Sequence, residues 1–148
     1  MRASILLGMA ACAALTGCGV PLPDAQDDKA AIQAVDALRR GDLRTLEAQS
    51  GPDLPRAELE ANAGWMRSLF PPGEPLSVKR LAFRSNVIVG KPAMLDLSEA
   101  YDFPDRVVYA DVLLSSAGAP HRWVVDGLHL NMRMKPARTP RAGPKTLV

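Results

Sequence analysis

The chain is expected to fold as an α+β domain, with helices in its first half packed on a strongly curved four-stranded antiparallel sheet in its second. Three observations predict this. Apolar residues from Lys29 to Phe70 recur at three- and four-residue steps, the period of a helix with one buried face. Beyond Pro75 the period becomes two, as in a strand with one wet face. Prolines fall between the periodic stretches, so each stretch reads as an element bounded by turns.

The first helix carries Ala31, Ile32, Val35 and Leu38 behind Asp27 or Asp28 as N-cap. Arg39, Arg40 and Gly41 stop it, because cations suit a helix C-terminus and glycine accepts the left-handed cap. Asp42 can cap a second, shorter helix with Leu43 and Leu46. A third begins near Pro55, runs through Leu59, Ala63, Met66 and Leu69 or Phe70, and ends at Pro71 and Pro72.

In the first strand Leu81, Phe83, Val87 and Val89 alternate with Arg80, Arg84 and Asn86, before a turn at Gly90-Lys91-Pro92. Met94 to Tyr101 forms the second strand, and Phe103-Pro104-Asp105 turns into a third from Val107 to Ser115. There Val108, Ala110, Val112 and Leu114 share one face, which is expected to meet the core. The last strand runs from Arg122 to Met134. Its apolar phase slips from Trp123 and Val125 to Leu128, Leu130 and Met132. A one-residue slip inverts every side chain, so a bulge is expected at Asp126-Gly127, and with it the strong curvature of the sheet.

The N-terminus carries a different message. Met1 and Arg2 precede twelve mostly apolar residues, Ala3 to Ala14, too short for a bilayer-spanning helix of roughly 20 residues but suited to an export signal. The signal closes on Leu15-Thr16-Gly17-Cys18. This resembles the lipobox of bacterial lipoproteins. The resemblance implies cleavage after Gly17, a diacylglycerol on the Cys18 thiol and acylation of the new amine, which together exceed the two-signal threshold for stable anchoring. Gly19, next to the acylated residue, is not the Asp that marks inner-membrane retention in part of that family, so the expected place is the inner leaflet of the outer membrane, facing the periplasm.

The expected organisation is therefore a signal over residues 1–17, a polar tether over 18–28 with Pro21 and Pro23, a domain over 29–134 and a tail over 135–148. Arg2 leaves with the signal, so the mature chain holds 17 basic and 16 acidic residues. The tail takes four of those cations, Lys135, Arg138, Arg141 and Lys145, and no acid, which leaves a mildly acidic body. With Pro136, Pro140 and Pro144 the tail is expected to be extended or disordered, and it could touch lipid phosphates or an envelope protein. Export makes nucleic acid an unexpected partner. The cysteines, Cys12 and Cys18, are respectively discarded and acylated in this scheme, so the domain must be held by its core without cystines.

Three helices before a four-stranded meander that ends in Trp123-Val-Val-Asp-Gly-Leu-His-Leu130 resemble the nuclear-transport-factor-2-like, or cystatin-like, α+β roll over about Lys29 to Met134. Residues carrying the resemblance are the Arg39-Arg40-Gly41-Asp42-Leu43 helix stop, Trp123, Val125 and Gly127. It implies a cone between sheet and helices where some members place a catalytic Asp or His and others bind ligands without chemistry. An obvious strand pair between the second and third helices is lacking, which argues against a deep pocket of that type.

Candidate bases are Asp111, Asp126, His129, Tyr109 and Tyr101. The strand phase puts Asp111 and His129 on the sheet face away from the helices, where the plain reading is a solvated surface. Asp126 lies on the bend, and His121 in a loop. Ser85 and Glu99 are the polar insertions on the core face. Trp65, Trp123, Tyr109 and Phe83 could line a small apolar cavity, although core packing is the commoner fate of such rings. No His-x-x-x-His or Glu-x-x-His spacing suggests a metal. Ser98, Ser115 and Ser116 lack a nucleophile elbow, and Gly118 and Gly143 form no phosphate loop.

The expected function is a lipid-anchored, noncatalytic domain that binds a small apolar ligand or an envelope protein, with no cofactor, metal or catalytic residue assigned. Two alternatives stand beside it. One is a small isomerase or hydro-lyase using Asp111, Asp126 or His129; the other is an accessory subunit of an envelope assembly.

Overall fold

A computed structural model of the chain describes residues 25–118 and 122–137. The lipobox Leu15 to Cys18, His121, Gly143 and the tail from residue 138 onward lie outside the described residues. Three helices, α1 (Ala25–Arg40), α2 (Leu43–Gln49) and α3 (Arg56–Ser68), precede four strands, β1 (Ser77–Asn86), β2 (Met94–Asp102), β3 (Arg106–Ser116) and β4 (Trp123–Met134). The strands pair antiparallel in the order β1-β2-β3-β4. The α+β class with helices before an antiparallel meander is what the sequence predicts.

Local chemistry explains the helix ends. Gly41 takes φ +75°, and the Asp42 amide reaches back to the Ala37 carbonyl at 2.8 Å, closing α1 with a left-handed cap. Asp42 then caps α2, accepting from the Thr45 amide at 3.1 Å and the Thr45 hydroxyl at 2.6 Å. These hydrogen bonds hold its carboxyl below the usual carboxylate range. Pro55 precedes α3 in an extended conformation, and Leu59, Ala63 and Met66 form that helix's buried stripe.

Helix α1 starts at Ala25, ahead of the expected Lys29, so it takes the last four residues of the segment read as tether. Asp27 and Asp28 therefore stand inside its first turn rather than at its cap. Both have long-range partners: the Trp123 indole Nε1–H donates to Asp27, and Arg80 donates to Asp28 at 2.7 Å. The other end of α1 is held by Arg39, which donates to the Gly73 carbonyl at 2.8 Å and bonds Glu74. Trp123 pairs with Ser116, which is itself tied to Ala93, whereas Gly73 and Glu74 lead to Leu76 beside Asp102. The helix thus runs from the sheet end that carries the β1–β2 hairpin to the opposite end.

The core lies between this helix layer and one face of the sheet. Val108, Ala110, Val112 and Leu114 are at most 1% exposed, confirming the face expected of β3. Leu95, Leu97 and Tyr101 of β2 join them, and Phe70 packs edge-on against Tyr101 and Phe103 with ring centroids 6.2 Å apart in each case. Large side chains fill the space between sheet and helices.

Asp126 is the extra residue of a β-bulge: Leu113 pairs with Gly127 and Leu114 with Val125. The phase slip is therefore real, but the sheet is not strongly curled, contrary to expectation. The reason is position. The bulges, at Asp126 and at Leu81, occupy the two edge strands, while β2 and β3 pair in unbroken register from Met94 and Ser115 to Asp102 and Val107. An irregularity at an edge re-aims side chains without bending the centre.

Strand β1 departs further. It ends at Asn86, so Val87 and Val89 belong to the hairpin loop, and Leu81, Phe83, Val87 and Val89 are exposed rather than half-buried. The principal helix–sheet contacts fall on β3 and β4, which leaves the inner face of β1 largely uncovered. Lys135, assigned to a loose tail, is tied down: its ammonium bonds the Phe103 carbonyl at 2.5 Å and the Asp102 carboxylate at 2.6 Å.

Candidate functional site

The α2–α3 connection builds a groove against the edge of β4. Ser50 bridges Val125 in parallel, and the Gly51 amide donates to the Val125 carbonyl at 2.8 Å. A glycine is required there: a Cβ on Gly51 would stand 1.8 Å from Asp126 Oδ1. This bridge brings Asp53, Leu54 and Glu58 around the β4 edge to meet Asp96, Asp111, Asp126 and His129 from the sheet. The result is an open groove of about 340 Å³.

Three of the sequence candidates thus come together. Asp111 and His129 are cross-strand partners, both exposed, and the Ser98 hydroxyl donates to Asp111 Oδ1 at 2.5 Å. Asp126 is different: it is 8% exposed, and its Oδ1 has no hydrogen-bond partner among the described residues. Five carboxylates line the groove and no lysine or arginine does. Such a surface favours a cation. The groove leaves Asp111 and His129 open to water, whereas a general base works best where water is excluded.

The remaining candidates disperse. Tyr109 is half-buried on the outer face, Trp65 is 58% exposed on α3, Phe83 stands at the uncovered edge, and Trp123 clasps α1. These four rings do not meet in a common cavity. Tyr101 is fully buried and donates to Glu99 Oε2 at 2.7 Å. Burial, only partly offset by that hydrogen bond, pushes the Glu99 carboxyl up to about 7, and burial beside Glu99 raises the Tyr101 phenol well above its ordinary range. The pair sits within packed core. Among the described residues no three His, Cys, Asp or Glu side chains form a metal-ligand group.

Asp53, Glu58 and Asp96 escaped the sequence reading. Asp96 carries a signal, since it shares the outward phase of β2 with Ser98 and stands across from Leu113. Asp53 and Glu58 carry none, because only the Ser50–Val125 bridge brings them near the sheet.

No family model, curated protein or solved structure matches this chain. The functional reading accordingly rests on its own residues and their arrangement. Among the described residues no helix is long and apolar enough to cross a membrane.

Proposed function

We propose that the chain is a lipid-anchored lipoprotein of the bacterial envelope whose domain is a noncatalytic module that holds a cationic segment of an envelope partner. Its anchor half is supported by the order of Arg2, the apolar run Ala3 to Ala14 and Leu15-Thr16-Gly17-Cys18. Gly19 favours the outer membrane over the inner. The binding half rests on the groove, which five carboxylates and His129 line with no lysine or arginine among the lining residues, Arg84 standing across from Asp96 in the β1–β2 ladder. A guanidinium or ammonium from a partner would neutralise the accessible carboxylates of this cluster, Asp53, Glu58, Asp96 and Asp111. A small apolar ligand receives less support, since Tyr101, Phe103, Leu97 and Val112 fill the space between helices and sheet.

The test has two arms. Mass spectrometry of the purified protein should find a Cys18 N-terminus carrying acyl chains, and Cys18→Ala should abolish both processing and acylation. A photo-crosslinker placed at Asn131, beside the groove on β4, should capture a discrete partner in intact cells. Capture should fall at least about fivefold when Asp96 and Asp111 are changed to Asn, because the partner's charges then lose their counterparts. Unchanged capture by the neutralised groove would end the binding proposal.

One observation favours a second reading. Asp111, Asp126 and His129 do share a groove, as an isomerase or hydro-lyase would need. Turnover of a small substrate, lost in His129→Ala and retained in Glu58→Gln, would replace the binding reading with that one.

A further inference from the structure

Between Glu74 and Asp96 the chain has no acidic residue, yet it holds Lys79, Arg80, Arg84 and Lys91. Arg80 is committed, donating to Asp28 and standing 5.8 Å from the Phe83 ring centroid. Lys79, Arg84 and Lys91 are exposed and make no ion pair among the described residues. The same hairpin exposes Leu81 and Phe83 on β1, and Val87, Ile88 and Val89 at its tip, where Val89 is 101% exposed. A cluster of five uncovered apolar side chains on a small domain marks a surface that meets something.

From this combination we infer that the β1–β2 hairpin tip inserts into the interfacial region of an anionic phospholipid bilayer. The tip residues Val87, Ile88 and Val89 are consecutive and all exposed, in a loop turned by Gly90 at φ +79° rather than on one face of a strand. A flat peptide or sheet partner could cover only part of such a tip. A lipid interface surrounds it. Lys91 follows Val89 by two residues and Arg84 precedes Val87 by three, so both cations stand within roughly 10 Å of the tip along the chain. That matches the roughly 5–10 Å depth to which interfacial apolar groups bury beneath the phosphates.

A second copy is the obvious competing occupant, because β1 is an open edge. Antiparallel pairing of two β1 strands about their centre would set Lys79 opposite Arg84 twice, with no acid on β1 itself and only Asp96 on β2 beside Arg84. Charge therefore selects an anionic surface over self-association.

The placement of α1 supplies an independent argument. Its first turn is held by Trp123 at the sheet end that bears the hairpin. Seven residue steps separate Cys18 from Ala25, a span of at most roughly 25 Å. The inference rests on the proposed Cys18 anchor for this step alone: an acylated Cys18 would keep the hairpin end of the domain close to the bilayer, where a weak insertion becomes intramolecular.

The experiment uses the purified full-length gene product reconstituted into vesicles of phosphatidylethanolamine and phosphatidylglycerol, with a fluorophore on Val89→Cys or, at the opposite end of β4, on Arg133→Cys. A quencher carried on the lipid chains should quench position 89 several-fold more than position 133. Val87→Asp with Val89→Asp, read from a fluorophore on Ile88→Cys, should bring quenching down to the level of position 133. Circular dichroism of that variant checks folding. Arg84→Gln and Lys91→Gln should each weaken hairpin contact about fivefold, as should replacing the anionic lipid with phosphatidylcholine by a comparable factor or more.

Equal quenching at positions 89 and 133 with acylated Cys18 confirmed by mass would overturn the inference and leave the anchor intact. Strong quenching at position 89 without acylation would refute the anchor and keep the hairpin contact. Fluorophore self-quenching that rises with protein density while lipid quenching stays low would assign the tip to a second copy and overturn the inference. Equal contact with phosphatidylcholine would do the same for an anionic surface.

Discussion

Strands β3 and β1 both alternate apolar and polar residues, yet their fates are opposite. In β3 the residues Val108, Ala110, Val112 and Leu114 are sealed under helices, whereas in β1 Leu81 is 57% and Phe83 43% exposed. Phe83 is in the correct phase for the core, since its partner Leu97 is fully buried. What differs is cover: α1 and α2 pack over β3 and β4 and leave the β1 edge bare. Alternation specifies a strand with one apolar face, but the next layer decides whether that face becomes core or contact surface.

The largest effect that sharpens this contrast is expected at Leu97. Leu97→Ala should destabilise the domain by about 2–5 kcal/mol in chemical denaturation, as removal of a fully buried leucine commonly does. Its cross-strand neighbour Phe83 should tolerate truncation to Ala at a cost well below that, because water already reaches the ring. Comparable losses at the two sites would mean that β1 is covered after all.

Next comes the pH dependence of Glu99, which is fully enclosed on the same core face. Its folded value of about 7 lies above the usual 4.5, so the proton is bound more tightly in the folded state. Stability from this group is fully present below about pH 4.5 and is lost as pH rises through about 7, a change of up to about 3 kcal/mol. Glu99→Gln should flatten that slope between pH 5 and pH 8 in urea melts; an unchanged slope would place the titration elsewhere.

Smaller again is the contact beneath the acidic groove. Gly51→Ala should cost about 1–3 kcal/mol, as forced overpacking does, and Asp126→Ala in the same chain should recover most of it. Additive losses would show that the two residues do not press on each other. Last, Val89→Ser should change stability by less than about 0.5 kcal/mol while altering vesicle contact, separating a surface made for meeting a partner from one that holds the fold.

Much of this architecture could be read from residue order, and the failures have identifiable causes. The Gly41 stop, the Asp42 cap, the β3 core face and the slip at Asp126 each depend on neighbouring residues, so local chemistry reveals them. The start of α1 differs from the expected one because Asp27 and Asp28 are ordinary N-caps by composition, while their actual partners, Trp123 and Arg80, lie far along the chain. The sheet is less curled than the slip predicts because a phase slip does not say whether its strand is central or at an edge. In the groove, Asp111, Asp126 and His129 were visible as candidates, but their meeting with Asp53 and Glu58 depends on the Ser50–Val125 bridge, which no periodicity encodes.

The clasp at the start of α1 has a mechanical meaning. Asp27 is joined to Trp123 of β4 and Asp28 to Arg80 of β1, so a pull delivered through the chain ahead of Ala25 divides between the sheet's two outermost strands. The unbroken β2–β3 pairing at the centre carries neither attachment. A domain fastened this way can yield at its fastening, by freeing the first turn of α1, before the sheet itself is peeled apart. The weakest joint under tension is then a side-chain clasp able to re-form once the load is gone.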